Sequence, residues 1–169
     1  MFDTLTNLTR QPLMVGLDLK CEITANNVAK SRIQEMFARY GPELLDSASS
    51  EMINYSEAIL RMRIPEIPGG SWNQTRMIGR NEISRIKVTL QEKDDRLIFD
   101  FTGTDPQARR GINLPYHATF GAYFRGLLII LAYDFLQNHG VFRPLEVIAP
   151  EGTVMNVQYP GPVSLNTTF

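Results

Sequence analysis

Cysteine and histidine are scarce in this chain: its 169 residues include one cysteine, Cys21, and two histidines, His117 and His139. A single cysteine cannot close an intramolecular disulfide, and so few thiol and imidazole groups cannot supply a zinc site. This composition favours a reducing, cytoplasmic environment. Because Cys21 falls within a helical pattern, we expect it to be buried as a small apolar residue rather than to act as a nucleophile.

An excess of either charge and a long apolar run are also absent. The 17 basic residues nearly balance the 18 acidic ones, which excludes the electrostatic footprint of a protein that binds nucleic acid or an anionic membrane surface. The most apolar stretch, residues 127–133, is far shorter than the roughly 20 residues that cross a bilayer. Residues 1–4 lack the pattern of a secretory signal. We therefore expect a cytoplasmic chain with no nucleic-acid partner and no membrane partner.

The hydrophobic residues make up 43% of the chain, which is enough for a core. Over residues 13–40 they recur at helical spacing, which predicts a long amphipathic helix with one buried face. Gly41 supplies a stop, and Pro42 suits the first turn of a second helix that ends before Pro65. Together these signals predict a helical hairpin. The residues assigned to the buried face of the first helix are Leu19, Ile23, Val28, Ile33, Met36 and Phe37.

The second half of the chain carries strand patterns and one apolar helix. Residues 86–91 and 97–101 alternate between apolar and polar side chains, which predicts an antiparallel β-hairpin. Residues 118–138 are apolar nearly all round, which predicts a buried helix, and residues 145–149 and 154–157 predict two short strands. The fold class is therefore α+β, with a helical hairpin followed by an antiparallel β-hairpin, a buried apolar helix and short strands.

The loop that follows this hairpin, residues 100–107, gathers two hydroxyls, two carboxylates and a glycine. Glycine permits a positive φ and a close approach of the backbone to a ligand, and threonine hydroxyls can donate to carbonyl or phosphate oxygens. Such a loop can bind a polar ligand, and Thr102, Gly103 and Thr104 are our candidate substrate-binding residues. The alternative is a turn in which the same side chains bond their own backbone and merely end the hairpin.

Further polar candidates lie just downstream of this loop. Asn113 adds an amide to the predicted substrate-binding set. Arg109 and Arg110 can each neutralise a carboxylate or phosphate, because the planar guanidinium matches two oxygens; the alternative is that both are simply solvated. His117 is a candidate base or metal ligand, against the alternative of a histidine bonded at a helix end, and His139 is expected to interact with a helix dipole.

Five stretches, in order along nearly the whole chain, resemble the hydantoinase B/oxoprolinase family. The strongest are FDFTGT at 99–104 followed by GINLP at 111–115, and RPLEVIAPEGT at 143–153. Upstream, GLDL at 16–19 with ANN at 25–27 is similar to the family's Asp-Leu helix and its alanine-asparagine pair, and GGSW at 69–72 falls where members carry a Pro-Asp-Gly-Thr-Tyr-like turn. One short match would be weak, whereas an ordered set is specific.

This resemblance implies a component of an ATP-dependent enzyme. In such enzymes a hydantoinase A-like subunit uses ATP to activate a carbonyl or carboxylate by phosphorylation, and the hydantoinase B-like part converts the activated species. The outcome is hydrolytic opening of a cyclic amide or carboxylation of a ketone. The resemblance further implies that ATP and a divalent metal act in the assembled enzyme and that this chain alone binds neither.

Family members are several times longer, and their metal-binding segment lies upstream of the region matched here. We therefore expect residues 1–169 to be a single segment of a larger hydantoinase B-like subunit, with a helical part at 1–68 and a mixed α/β part at 69–169. Such a segment is a fragment or a split subunit, completed by the remaining segments and by the ATP-binding partner, and is inactive alone. No metal ligand and no catalytic residue can be carried over. The alternative is a non-catalytic interaction subunit of such a complex.

Overall fold

A computed structural model describes residues 2–79 and 83–163 of the chain. The chain divides into two compact units, Met1–Ser50 and Glu51–Phe169, and each is described by itself. The boundary falls inside a helix, whereas the sequence-based division at 68/69 marks the change from helices to strands.

The first unit is helical. Helix α1 spans Phe2–Asn7, α2 spans Pro12–Tyr40, and the unit ends within α3, Pro42–Arg63. The two long helices are separated at Gly41, which has a φ of +78° and donates its N–H to the carbonyl of Phe37. A glycine adopts this left-handed conformation without the strain that a side chain would add. The predicted break between two helices is therefore confirmed.

Helix α2 is exposed over most of its surface, so the sequence prediction that one of its faces is buried was wrong. Its one buried residue is Gly16, which lies against the Phe2 ring and the Thr6 methyl of α1. Cys21, expected to be buried, is exposed as well. Apolar periodicity identified the helix correctly but does not reveal whether anything covers it. Five of the six residues predicted to face a core are exposed by 45–58%: Ile23, Val28, Ile33, Met36 and Phe37.

The second unit is built on a four-stranded sheet in the order β1-β2-β3-β4. The strands are Ser71–Ile78, Ser84–Lys93, Arg96–Asp100 and Leu145–Ile148. The first three are antiparallel neighbours, and β4 runs parallel to β3. The predicted hairpin is confirmed as β2 and β3. Its tight turn places Asp94 and Asp95 at φ values of +51° and +62°, the left-handed pair that a two-residue hairpin turn requires.

Helix α4, Tyr116–Leu131, connects β3 to β4 and covers one face of the sheet. Its buried Phe124 and the Tyr123 ring pack over the apolar side chains of β2, β3 and β4. The predicted helix is confirmed over 116–131, but only one side of it is covered, because Ile129 and Ile130 are about 70% exposed. The core comprises Leu60, Ile64, Ile86, Leu97, Phe99, Phe101, Leu114, Phe124, Val141, Leu145, Val147 and Met155.

The structure contains only the first of the two short strands predicted at 145–149 and 154–157. The former contain β4, as predicted. The latter form turns with isolated bridges instead of a strand, so that prediction was wrong. Val154 and Met155 are nonetheless fully buried, because the turn inserts them into the core. Apolar content therefore predicted their burial but not the backbone conformation.

The part of α3 that lies in the second unit, residues 51–63, is held to the loop after α4 by polar contacts. Asn138 donates to the carbonyl of Met52 at 3.0 Å and to the Ser56 hydroxyl at 2.8 Å, and Ser56 donates to the Leu136 carbonyl at 2.8 Å. At Gly140 the backbone lies so close to the carbonyl of Ile53 that a Cβ would overlap it. Helix α3 thus contacts the loop after α4 without an intervening side chain.

An ion network joins α3 to the hairpin turn. Glu57 pairs with Arg61 at 2.9 Å and with Arg143 at 2.8 Å, and Arg61 also pairs with Asp95 at 2.7 Å. The hydrogen bond from Arg143, followed by that from Arg61, holds the pKa of the Glu57 carboxyl below its usual range even though desolvation opposes the shift. In the described ranges, no helix combines the length and apolar content that crossing a membrane would require.

Candidate functional site

The sheet of the second unit has one apolar face and one polar face. Because side chains alternate along a strand, Ile86 and Phe99 point into the core under α4, whereas Lys87, Thr89 and Asp100 lie on the opposite face. Register brings Thr89 directly opposite Asp100. The face away from α4 is therefore polar at the end of β3, where the candidate loop begins.

Thr102 and Gly103 are exposed at this edge of the polar face. The carboxylate of Asp100 accepts the N–H of Thr102 at 2.8 Å, which forms an Asx-type turn. Gly103 follows with a φ of +90°. Within residues 2–79 and 83–163, neither the Thr102 hydroxyl nor the Gly103 N–H has a hydrogen-bond partner. Both belong to exposed residues and are available to donate to a ligand.

Thr104, by contrast, is buried and fully engaged. Its hydroxyl accepts the N–H of Lys87 at 3.1 Å and donates to the carbonyl of the same residue at 3.0 Å. Next to it, Asp105 donates its N–H to the Arg85 carbonyl at 3.0 Å and accepts the Arg85 N–H at 2.8 Å. The loop thus continues to bond along β2 after β3 has ended.

Asn113 is also completely buried and bonded to backbone throughout. Its carbonyl oxygen accepts the N–H of Ala108 at 2.7 Å. Its amide nitrogen donates to the carbonyls of Ala108, Arg110 and Pro162 at 2.9, 3.2 and 2.7 Å. This side chain closes the loop 106–113, and no polar atom of it is left over for a ligand.

The other sequence-based candidates are spread over the second unit. Arg109 is exposed and Arg110 is partly buried. His117 is exposed in the first turn of α4, with its ring 5.6 Å from that of Tyr116. His139 begins a short 3-10 helix, His139–Phe142, rather than ending α4. Over the described ranges, no three carboxylate, thiol or imidazole side chains are grouped so that they could hold a metal ion.

Sequence reasoning missed Lys87, which lies beside the loop. An ideal Cβ built on Gly103 would be 3.2 Å from Cδ of Lys87 and 3.8 Å from its Nζ, so the lysine side chain crosses directly over the glycine. Alternation alone placed Lys87 on the solvent side of the hairpin. Its position over Gly103 depends on the bonds between the loop and β2, which no sequence pattern indicates.

The described clefts of the second unit lie away from the loop. Two adjoining clefts of about 400 and 420 Å³ follow β1 and share Gln74, Val88 and Tyr123. Burial raises the pKa of the Tyr123 phenol. A cleft of about 530 Å³ at the hairpin turn is lined by charged side chains that include Arg61 and Glu146. None of the three is lined by Thr102, Gly103, Thr104 or Asn113; Thr102 and Gly103 lie on an open face, and Thr104 and Asn113 are buried beneath the loop surface.

Comparison with known proteins identifies the group to which this α+β chain belongs. The family model for hydantoinase B/oxoprolinase matches residues 1–169. A protein of Pseudomonas sp. (strain NS671), whose name describes it as a candidate B component of a D-/L-hydantoinase, is 32% identical over 177 residues, covering 96% of this chain and 30% of that protein. This chain is a member of the hydantoinase B/oxoprolinase family, and the predicted resemblance is confirmed.

Solved structures give the same fold. The ATP-dependent caprolactamase from Pseudomonas jessenii superposes with a TM-score of 0.80 at 23% identity, covering 96% of this chain and 29% of that one. The nucleotide-free structure of acetone carboxylase gives a TM-score of 0.70 at 17% identity, covering 78% of this chain and 20% of that one. At these identities the likeness establishes the fold alone, and the predicted α+β class is confirmed. The chain spans about 30% of the length of the hydantoinase relative that it matches.

Proposed function

We propose that this chain forms one wall of a composite active site in an ATP-dependent enzyme that acts on a carbonyl substrate activated by phosphorylation. The observation that carries the proposal is the loop at the end of β3. There Thr102 and Gly103 present two open donors, while Thr104 and Asn113 hold the surrounding backbone rigidly. Fixed donors of this kind stabilise negative charge that develops on a carbonyl or phosphoryl oxygen, because they need not reorganise during the reaction.

The four predicted site residues divide into two roles in this proposal. Thr102 and Gly103 face the substrate. Thr104 and Asn113 act as positioning residues, since their polar atoms are occupied by the backbone of β2 and of the loop 106–113. The relatives support the chemistry without deciding its outcome: one solved structure is an ATP-dependent caprolactamase and the other an acetone carboxylase. Hydrolytic opening of a cyclic amide and carboxylation of a ketone both fit.

The remaining walls belong to other polypeptide segments in this proposal. They are the further hydantoinase B-like segments and a hydantoinase A-like subunit that binds ATP, in a cytoplasmic complex. A divalent metal requires a cluster of oxygen or nitrogen ligands, and the described residues do not group such side chains. As the family resemblance implies, we propose that the other segments hold the metal and ATP, and we derive no step of this chain through them.

The test uses the chain assembled with a hydantoinase A-like partner and the complementary hydantoinase B-like segments. ATP-dependent turnover is followed with lactam, hydantoin and ketone substrates, by release of ADP and by the ring-opened or carboxylated product. Thr102→Ala is expected to lower turnover about tenfold or more, the equivalent of one hydrogen bond to a charged group. The matched control is Thr24→Ala, on exposed α2.

Native mass measurement of each complex separates lost chemistry from lost assembly. If Thr102→Ala and Thr104→Ala both leave turnover unchanged in an intact complex, the chain is a scaffold and the proposed role in the site is wrong. Turnover by the isolated chain, without the partner, would likewise contradict the composite site.

A further inference from the structure

The backbone of Lys87, an exposed residue, is held in place by hydrogen bonds to a side chain. Both its N–H and its carbonyl bond to the Thr104 hydroxyl, at 3.1 and 3.0 Å. Its side chain then runs across Gly103, where a Cβ would lie 3.2 Å from its Cδ. A side chain at position 103 would be strained at a φ of +90° and would also push the lysine away. Glycine at 103 and threonine at 104 therefore direct one ammonium group over the loop.

Two further donors lie on the loop beside this ammonium group. The open N–H of Gly103 and the open hydroxyl of Thr102 lie on the loop that Lys87 crosses. Within the described residues no carboxylate forms an ion pair with Lys87, and the nearby Arg85 and Asp105 are occupied with one another at 3.2 Å. A cation, a backbone N–H and a hydroxyl form a donor set that fits a small oxyanion.

We propose that Lys87, with the N–H of Gly103 and the hydroxyl of Thr102, binds an oxyanion of the substrate, a phosphoryl or carboxylate group. This inference rests on the proposed function and deepens it, because activation by phosphorylation would present such a group to this loop. The acidic side chain of Asp100 is set diagonally across the sheet from Lys87. One of its oxygens accepts the N–H of Thr102 and thereby orients the loop, and among the described residues its carboxylate forms no ion pair with Lys87.

Binding is tested on the full chain with inorganic phosphate and, separately, with acetate, followed through backbone amide chemical shifts. We expect saturable shifts at Gly103 and Thr102. Lys87→Met should raise the apparent dissociation constant about tenfold, as expected for loss of a hydrogen bond to a charged group. Lys87→Arg should restore much of it. Lys93→Met, at the exposed far end of the same strand, is the matched control and should bind as the wild type does. Tighter binding of phosphate than of acetate identifies a phosphoryl site, and the reverse identifies a carboxylate site.

Two results would overturn the inference: no saturable shift at Gly103 with either anion, or equal weakening by Lys87→Met and Lys93→Met. The amide spectrum of each variant shows directly whether it is folded, so a misfolded Lys87→Met is recognised and the comparison then rests on Lys87→Gln, which also removes the charge, against Lys93→Gln. Because anion binding requires no turnover, its failure is distinguishable from failure of the ATP-dependent activity. Binding without activity in the complex would contradict the proposed function alone.

Discussion

The Thr104 hydroxyl bridges the N–H and the carbonyl of Lys87, at 3.1 and 3.0 Å, from the far side of a loop 17 residues away in sequence. A single side chain therefore substitutes for a strand partner at this point of β2. The bridge fixes the distance between the loop and β2. It also fixes the backbone of Lys87, from which the lysine side chain extends.

Thr104→Val is expected to destabilise the second unit by about 1–3 kcal/mol, because the isosteric methyl removes the partner of two partly buried bonds, to the N–H and the carbonyl of Lys87. Thr104→Ser keeps the hydroxyl and should cost less than half as much. Urea unfolding of the chain measures both variants. Thr102→Val, which replaces an exposed residue, is the control and should change the free energy of unfolding little. Equal stability of the valine and serine variants at 104 would contradict the bridge.

Asn113→Ala should be among the costly polar substitutions in the chain. It removes a fully buried side chain and leaves the Ala108 N–H and three carbonyls without their bonds, for which we expect a loss of roughly 2–3 kcal/mol. The same change at exposed Asn27 should have almost no effect. Thermal unfolding of the two variants decides the point, and a loss under about 0.5 kcal/mol at 113 would show that the loop does not depend on this amide.

Two glycines should respond in opposite directions to the same substitution. Gly140→Ala places a methyl against the carbonyl of Ile53 and should destabilise the second unit by about 1–3 kcal/mol, as overpacking against backbone does. Gly126→Ala lies in the exposed interior of α4 with nothing within 4 Å, so it should stabilise by about 0.5–1 kcal/mol through helix propensity. Chemical denaturation under identical conditions compares them. A neutral Gly140→Ala would mean that α3 does not approach the loop this closely.

Stability should fall on acidification partly because of Glu57. Arg143 and Arg61 hold the pKa of its carboxyl below the ordinary value of 4.5. Because the folded pKa is the lower one, the stabilisation is fully present above the unfolded value and is lost as the pH falls through the folded value. Glu57→Gln should therefore be less stable than wild type near neutrality and should approach it below pH 4.5. Glu35→Gln, in an exposed pair with Arg32, should track wild type throughout. A constant difference between Glu57→Gln and wild type over this range would exclude the linkage.

Cys21 should react with a thiol reagent in the folded chain at a rate close to that of a free thiol. It is exposed on α2, contrary to the burial expected from the sequence, and thiol reactivity requires access to the sulfur. Comparing the rate in buffer with the rate in urea provides the control. Strong protection in buffer would show that α2 is covered.

Local patterns predicted the elements of this fold well where a single period or stop signal determines them. The hairpin of β2 and β3 follows from alternation, and the break at Gly41 follows from a glycine next to a proline. Whether the apolar face of a helix is buried was harder to predict, because burial depends on what packs against the helix. Apolar residues of α2 and Ile129 of α4 are exposed although their periodicity is that of buried residues.

Residue types located the candidate loop. They did not show which of its residues face solvent and which hold its backbone in place. Nothing in the sequence distinguishes the open Thr102 from the engaged Thr104, because the difference arises from bonds to Lys87 across the hairpin. Lys87 was missed for the same reason. Asn113 was selected as a ligand-binding amide, whereas its four bonds to backbone depend on the path of the chain as far as Pro162.

The two edge strands of the sheet, β1 and β4, differ in length and in the bonds made by their outer backbone. At β4 the outward carbonyl of Val147 is already taken by the Tyr116 hydroxyl at 3.2 Å. Along β1, which is exposed over nearly its whole length, the outer backbone accepts one long hydrogen bond among the described residues, from the Gln74 side chain to the Thr75 carbonyl at 3.4 Å. An open edge of eight residues is a template for a further strand. A polypeptide that lengthens this sheet therefore has eight residues of backbone to pair with at Ser71–Ile78, twice the length of the β4 edge at Leu145–Ile148.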